Sequence, residues 1–239
     1  MRPAARAVLL APAALACACS PAAPLDGVLR RLAQRDPEVL YYVPTEAPAV
    51  ALTIDDGPDP ESTPRILEVL ARHDARATFF VITSRIPGNE DLLARMLEAG
   101  HELANHATVD APSVDLSQQD FERDLAKAHR ALSRFTEPRW FRPGSGWVDD
   151  EILEVLTAHG YRLALGSVYP FDPQIRSSWL ASRYILWRTR PGSIIILHDH
   201  GDRGRRTAAT LDAVLPRLAR RNLSVLTLSE LVELQQPAP

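Results

Sequence analysis

Short apolar runs alternate with amphipathic segments along the chain after about residue 48. Most of these runs are four to eight residues long and rich in Val, Ile, Leu or Phe, which is typical of buried strands. Seven strands that alternate with helices predict a parallel α/β architecture. The predicted strands lie at about 50–55, 77–82, 101–106, 139–142, 161–168, 193–198 and 223–228.

Segments with helical periodicity lie between most of these runs, and several have recognisable ends. Thr63 is predicted to cap one helix, with Pro64 at its first helical position. Gly100 and Gly160 are predicted to end two others, and Pro216 to kink the helix before the last strand. The predicted helical segments are 26–35, 63–73, 90–100, 117–135, 151–160 and 207–221.

The first twenty residues have a different character. Arg2 and Arg6 precede an apolar run that ends near Cys19, and small residues follow, which is the layout of a signal peptide. The run is shorter than the roughly 20 residues of a transmembrane helix. This layout predicts secretion or a cell-envelope location. The alternatives are an organelle transit peptide, or a disordered extension on a cytoplasmic protein. We predict a targeting segment at 1–20, an N-terminal extension at 21–48 and one domain at 49–236.

Composition limits the classes of partner. The chain of 239 residues has a net charge of −3, which gives no reason to expect nucleic acid or an anionic membrane surface. The short basic stretches 203–206 and 217–221 are more typical of a helix end or a solvated face than of a binding patch. Cys17 and Cys19 are the only cysteines, so the predicted domain has no thiol nucleophile or ligand. The oligomeric state stays open.

Polar residues follow the carboxyl ends of five predicted strands. The first strand ends in Asp55 and Asp56, where Gly57 and Pro58 break the chain. Neighbouring side chains in a strand point to opposite faces, so two adjacent acids serve one site only if the backbone turns there. Because the carboxyl ends of parallel strands line one face, we expect the polar residues to converge. They are Asp55, Asp56, His106, Arg142, Asp172, His198 and Asp199.

Two of these side chains suit a metal ion. A carboxylate and an imidazole that meet in a pocket bind ions of hard or borderline character, and Asp56 and His106 are the candidates. Asp110 follows His106 by four residues and is the candidate third ligand. Three ligands would leave open positions for water and a substrate oxygen. The alternative is that Asp110 is a loop residue that points at solvent.

Three further residues have the chemistry of acid–base catalysis. Asp55 lies next to a predicted ligand and can take a proton from a water molecule. His198, on another strand, can give a proton to a leaving group. Arg142 can hold Asp55 ionised and oriented through an ion pair. Together these residues indicate metal-assisted hydrolysis of an acyl bond, with water as the nucleophile.

These motifs resemble those of the polysaccharide deacetylases of the NodB-homology type, carbohydrate esterase family four. The family motif T-F-D-D-G-P resembles residues 53–58, and the motif L-x-H resembles residues 196–198. Residues 105–110 match the motif N-H-[ST]-x-x-H in part, and residues 142–145 match R-P-P-Y in part. The resemblance covers about residues 48–234 and implies an α/β fold, a distorted (β/α)7 barrel of the NodB-homology type.

The resemblance implies that Asp55 is the catalytic base and Asp56 a metal ligand, and three positions depart from it. Asp110 stands where the family has its second metal-binding histidine. Ser145 replaces a tyrosine, although its backbone N–H remains available for the oxyanion. The fourth motif, an Asp-Trp pair that orients the arginine, is not recognisable, and Asp172 is the nearest candidate.

Three apolar or aromatic residues are candidates for substrate contacts. Leu197 is expected to form a wall of the acyl pocket. Trp147 and Tyr169 follow two strands, and each could stack on a sugar ring or pack in the core.

The resemblance implies a polysaccharide or oligosaccharide substrate and a divalent metal ion. Zn²⁺ is expected, with Mn²⁺ and Co²⁺ as alternatives. The predicted activity is removal of N-acetyl groups from amino sugars in a glycan of the chitin or peptidoglycan type. An O-acetyl xylan esterase would use the same residues and is one alternative. The other alternative is not an enzyme: a catalytically silent carbohydrate-binding protein on the same fold.

Overall fold

The computed structural model describes residues 6–7 and 23–235 of the chain. In this part the strands are β1 (Arg6–Ala7), β2 (Val39–Leu40), β3 (Ala49–Asp55), β4 (Thr78–Val81), β5 (Glu102–Asn105), β6 (Trp140–Phe141), β7 (Trp147–Val148), β8 (Arg162–Ala164), β9 (Ile194–His198) and β10 (Ser224–Leu226). The α-helices are α1 (Ala23–Arg35), α2 (Thr63–Arg72), α3 (Glu90–Glu98), α4 (Gln118–Leu132), α5 (Asp150–Ala158), α6 (Ser178–Arg188), α7 (Gly201–Arg220) and α8 (Leu228–Glu233). Two short 3-10 helices span Thr83–Arg85 and Ser113–Asp115.

A curled parallel sheet forms the centre of the fold. Strands β3, β4, β5, β6 and β8 pair in that order. Strand β9 pairs with β3 along residues 51–55, on the edge away from β4, and β10 pairs with residues 49–51 of β3. Beyond β8, the N–H of Val168 donates to the carbonyl of Ile194 at 3.0 Å, and the N–H of Ile196 donates to the carbonyl of Val168 at 2.9 Å. These bonds join the last strands of the circuit, so the predicted distorted (β/α)7 barrel is confirmed.

Strand β3 is buried along its whole length, as expected for a strand covered on both faces. Leu52 and Ile54 belong to the apolar cluster that includes residues of α2, α3 and α7. Ala51 belongs to a second cluster with Phe80 and Trp140.

All seven predicted strands are present, and the predicted helices differ mainly at their ends. Thr63 is the first residue of α2 rather than its cap, because Ser62 holds the cap position and Pro64 follows as the second helical residue. Helix α7 begins at Gly201, earlier than predicted, and continues through Pro216. Helix α6 was not predicted, because its apolar residues are spread around the helix and include the exposed Trp179 and Trp187.

The N-terminal extension adds a strand to the barrel. Strand β2 pairs with β8, and Tyr41 and Val43 are buried. The N–H of Val43 donates to the carbonyl of Gly192 at 2.9 Å, directly before β9. The ordered sheet therefore begins before residue 49, where the domain was predicted to start.

The predicted targeting segment 1–20, with Cys17 and Cys19, lies outside the described residues except for Arg6 and Ala7. Those two residues pair antiparallel with Val148 and Trp147. Among residues 6–7 and 23–235, no helix combines the length and the apolar character that crossing a membrane requires.

The close approach at Gly192 gives a stability test. Gly192 has φ +78°, and a Cβ there would lie 2.0 Å from the Val43 carbonyl oxygen. We expect Gly192→Ala to lower the free energy of unfolding by about 2–4 kcal/mol. Gly160 has φ +71° with no atom near such a Cβ, so Gly160→Ala should cost only about 1 kcal/mol. Chemical denaturation measures both, and equal losses would contradict the steric explanation.

Candidate active site

A cavity of about 380 Å³ opens at the carboxyl ends of the strands. The predicted site residues that line it are Asp55, Asp56, His106, Asp110, Arg142, Ser145, Trp147, Tyr169 and His198. Side chains from positions far apart in the sequence therefore converge at this face, as the strand-end pattern predicted. Asp199 was expected among them, but its carboxylate is buried on the hydroxyl groups of Ser62 and Thr63 and does not line the cavity.

Asp55 and Arg142 form a buried ion pair in the cavity wall. The Arg142 Nη1 donates to Asp55 Oδ1 at 2.6 Å, and each residue is only 3% exposed. The same guanidinium donates from Nε to the carbonyl of Ala164 at 2.9 Å and from Nη2 to that of Leu165 at 2.6 Å. These bonds fix the guanidinium in place. Arg142 therefore holds the Asp55 carboxylate in one orientation, as predicted.

The backbone turns at Asp56, which explains the two adjacent acids. Asp56 has φ +74°, so its side chain enters the same cavity as that of Asp55. Asp56 Oδ1 lies 3.5 Å from His106 Nε2. Burial raises the pKa of Asp56, but the hydrogen bond with His106 and the charges of His106, His198 and Arg203 outweigh it. The net result is a pKa below the usual range.

His106 is oriented by the backbone of the neighbouring strand. Its Nδ1 lies 2.6 Å from the Arg142 carbonyl oxygen, which can only accept a hydrogen bond. The Nδ1 atom therefore carries a proton, and Nε2 faces Asp56. A histidine whose far nitrogen is fixed on a carbonyl is the usual arrangement of a metal ligand.

His198 is paired with Asp172. The Nδ1 of His198 lies 3.0 Å from both carboxylate oxygens, and the backbone N–H of His198 donates to Asp172 Oδ2 at 3.1 Å. Burial lowers the pKa of His198, but the carboxylate of Asp172, helped by Asp55 and Asp56, raises it to about 9. The imidazole is thus a cation at neutral pH. Asp172 orients this histidine and not the arginine, which corrects the expectation drawn from the fourth motif.

Arg203 is a member of the site that sequence reasoning missed. It lies in the first turn of α7, with Nη1 3.1 Å from Asp56 Oδ2 and Nη2 4.0 Å from Asp110 Oδ2. The stretch 203–206 was interpreted as a helix end or a solvated face; Arg203 does lie at the start of α7, but its side chain faces the cavity instead of forming a solvated face. Its place five residues after His198, in a helix that starts at the carboxyl end of β9, is the signal that could have revealed it.

Two side-chain atoms of the cavity fit a divalent cation, Asp56 Oδ2 and His106 Nε2. Asp56 Oδ2 is buried and makes no hydrogen bond within the described residues, although the Arg203 guanidinium lies at ion-pair distance. Asp56 Oδ2 and His106 Nε2 are therefore two ligands that fit a divalent cation. In residues 6–7 and 23–235, no three His, Cys, Asp or Glu side chains lie close enough together to hold a metal ion. Asp110 lies at the rim with its side chain 44% exposed, and its role as third ligand stays a prediction.

The remaining predicted contacts lie around the cavity mouth. Ser145 is exposed on the turn after β6, with φ +63°. Trp147 and Tyr169 are half-buried in the cavity lining. Leu197 is fully buried in the core between sheet and helices, so its prediction as an acyl-pocket wall is corrected, and Ile196 lines the cavity instead. Lining residues that were not predicted include Tyr41, Phe171 and Gln174.

The Asp172–His198 pair gives a testable pKa. In Asp172→Asn we expect the pKa of His198 to fall from about 9 towards its ordinary value of 6.5. Because the folded-state pKa is raised, this pair stabilises the wild type fully below the unfolded value, and the stabilisation is lost as pH rises through about 9. NMR titration of the His198 ring measures the pKa, with the exposed Asp202→Asn as control. An unchanged value would contradict the pairing.

The match to known proteins agrees with this geometry. The model of the family described as "Polysaccharide deacetylase" matches residues 42–164. A peptidoglycan-N-acetylglucosamine deacetylase from Bacillus cereus is 30% identical over 208 residues, which cover 86% of this chain and 98% of that protein. A chitooligosaccharide deacetylase from Sinorhizobium fredii is 38% identical over 159 residues, 65% of this chain and 74% of that protein.

Solved structures share the fold. The crystal structure of the Bc1960 peptidoglycan N-acetylglucosamine deacetylase superposes with a TM-score of 0.78 at 25% identity, over 84% of this chain and 95% of that chain. A CE4 family pseudoenzyme from Bacillus anthracis superposes with a TM-score of 0.75 at 25% identity, over 83% of this chain and 70% of that chain. The chain belongs to the polysaccharide deacetylases of the NodB-homology type, carbohydrate esterase family four.

Proposed function

We propose that this polysaccharide deacetylase removes N-acetyl groups from amino sugars of a glycan by metal-dependent hydrolysis. The observation that carries the proposal is the register of β3 and β9, in which Asp55 and His198 are direct neighbours. Equivalent positions on adjacent parallel strands point to the same side, so a carboxylate and an imidazolium border one reacting centre. This is the arrangement that a base and an acid need in a single hydrolysis.

Each side chain has one task in the proposed reaction. Asp56 and His106 would hold a divalent cation, and the chemistry it would supply is polarisation of the acetyl carbonyl and of the attacking water. Asp55, held by Arg142, accepts the proton of that water. His198, charged through Asp172, donates a proton to the departing amine nitrogen. The backbone N–H of Ser145 is the proposed donor to the oxyanion.

A glycan with N-acetylglucosamine units is the proposed substrate. The two curated relatives act, by their names, on peptidoglycan N-acetylglucosamine and on chitooligosaccharides. The ring of Tyr169 lies 5.8 Å from that of His198 and 5.0 Å from that of Phe171, which gives an aromatic wall beside the proposed acid. A substrate in the cell envelope agrees with the proposed targeting role of residues 1–20.

A second candidate function is glycan binding without catalysis. It is favoured by the carboxylate at Asp110, where the family has a histidine, and by a structural neighbour that is described as a pseudoenzyme. Retention of Asp55, Arg142 and His198 in bonded positions favours hydrolysis. O-acetyl esterase activity uses the same groups, so acetylated xylan belongs in any substrate test.

Acetate release from chitooligosaccharides and peptidoglycan tests the proposal. We expect Asp55→Asn and His198→Ala to lower the rate by about two to four orders of magnitude, because each removes a proton-transfer group. Metal content should stay unchanged in both, and Asp202→Asn is the exposed-carboxylate control. Chelation should abolish release and added Zn²⁺ or Mn²⁺ restore it. Near-full activity in Asp55→Asn would reject the base, and glycan binding without acetate release would favour the silent protein.

The role of Asp110 has its own test. We expect Asp110→Ala to weaken metal affinity more than tenfold, because a charged ligand is lost. Asp110→His should keep binding and move selectivity from Mn²⁺ towards Zn²⁺, since an imidazole is a softer ligand than a carboxylate. Calorimetric titration with both ions measures this. Unchanged affinity in Asp110→Ala would remove the residue from the site.

A further inference from the structure

The charged side chains of the cavity form pairs, and this pairing singles out Arg203. Two other basic side chains of the cavity already have carboxylate partners, Arg142 with Asp55 and His198 with Asp172. Asp56 is only 2% exposed, so its charge needs a nearby cation to offset the loss of hydration. His106 Nε2 lies 3.5 Å from Asp56 Oδ1, and the guanidinium of Arg203, with Nη1 3.1 Å from Oδ2, is the cation at the second oxygen.

The helix that carries Arg203 does not favour a cation at this position. Arg203 is the third residue of α7, where the positive end of the helix dipole opposes a positive side chain. The acidic residue of that turn, Asp202, pairs with Arg205. Arg203 is therefore held by carboxylates outside the helix, those of Asp56 at 3.1 Å and Asp110 at 4.0 Å.

We propose that Arg203 competes with the divalent cation for Asp56: its guanidinium neutralises this carboxylate in the metal-free protein and leaves it when a metal ion binds. The inference rests on the proposed metal dependence and adds a residue that sets metal affinity. A zinc ion lies about 2.0–2.2 Å from a carboxylate oxygen. A metal ion and a guanidinium on Asp56 Oδ2 would therefore be within a few ångström of each other and would repel.

Asp110 gives the displaced guanidinium a second partner. Its carboxylate lies 4.0 Å from Nη2 of Arg203, whereas Asp56 approaches Nη1, and it is 44% exposed at the rim. A guanidinium that leaves Asp56 therefore has a carboxylate within 4.0 Å to move towards. Asp110 can then stabilise the metal-bound state in two ways, as a metal ligand or as the partner of the displaced arginine. Only the second way requires Arg203. Comparing Asp110→Ala in the wild type and in Arg203→Gln separates the two roles.

Metal titration of Arg203→Gln tests the competition directly. Metal-free full-length protein is titrated with Zn²⁺ and with Mn²⁺ in a calorimeter. We expect the Kd for at least one ion to fall tenfold or more in Arg203→Gln. The matched control is Arg205→Gln, which removes the same charge two residues further along α7, where Arg205 pairs with Glu61 and Asp202. The Kd of this control should stay within about twofold of the wild type.

Thermal melting gives a second readout from the same preparations. Without metal, Arg203→Gln should melt below the wild type, because Asp56 Oδ2 loses the cation beside it. With saturating Zn²⁺ the variant should melt at or above the wild-type temperature. An equal loss in both states would show that Arg203 only packs, and would overturn the proposal.

Unchanged or weaker metal binding in Arg203→Gln, reproduced in Arg203→Met, would also overturn the proposed competition. The proposal would fail as well if neither the wild type nor any variant bound Zn²⁺ or Mn²⁺. Acetate release is scored separately. Release by the wild type with no effect of Arg203 on metal affinity rejects this inference and keeps the proposed function. Tighter metal binding in Arg203→Gln without acetate release from any protein rejects the proposed function and keeps the inference.

Discussion

Arg142 is the residue on which the geometry of the site depends. Its side chain holds Asp55 and the carbonyl groups of Ala164 and Leu165, and its own carbonyl fixes His106. One buried residue thus sets the orientation of the proposed base and of a proposed metal ligand. Breaking a buried ion pair leaves an uncompensated charge, at a cost of about 3–5 kcal/mol. A substitution that removes the Arg142 side chain is therefore expected to lower the stability of the barrel and to change the geometry of the site.

Much of the fold could be read from the pattern of apolar residues, because strands buried on both faces need continuous apolar runs. Strand β3 and strand β9 are clear examples, since each is a run of aliphatic residues that ends in polar ones. Helix α6 escaped because its apolar residues surround the helix and follow no single face. Strand β2 is two residues long, too short for any periodic signal, and pairing with β8 alone defines it.

The convergence of the site was predictable, but several contacts within it were not. Strand ends place Asp55, Asp56, His106 and His198 at one face, which follows from topology. The contact of Asp172 with His198 depends on the path of the irregular segment after β8. The contact of Arg203 with Asp56 depends on the first turn of α7, so strand order predicts neither contact. The error at Leu197 was avoidable, because alternation along β9 puts Ile196 on the same face as His198.

The register of β3 against β9 has a consequence for how this chain can diversify. Asp55 and His198 are separated by the spacing of two hydrogen-bonded strands, about 4.8 Å between backbones, and no loop contributes to that distance. The aromatic wall at Tyr169 and Phe171 and the turn at Ser145 belong to connections outside the strands. Mutation at Ser145 or Phe171 can therefore alter the mouth of the cavity while the backbone distance between the proposed base and the proposed acid stays constant. Asp172 belongs to the same connection as Phe171 and orients His198, so it is the position in that connection that must be kept.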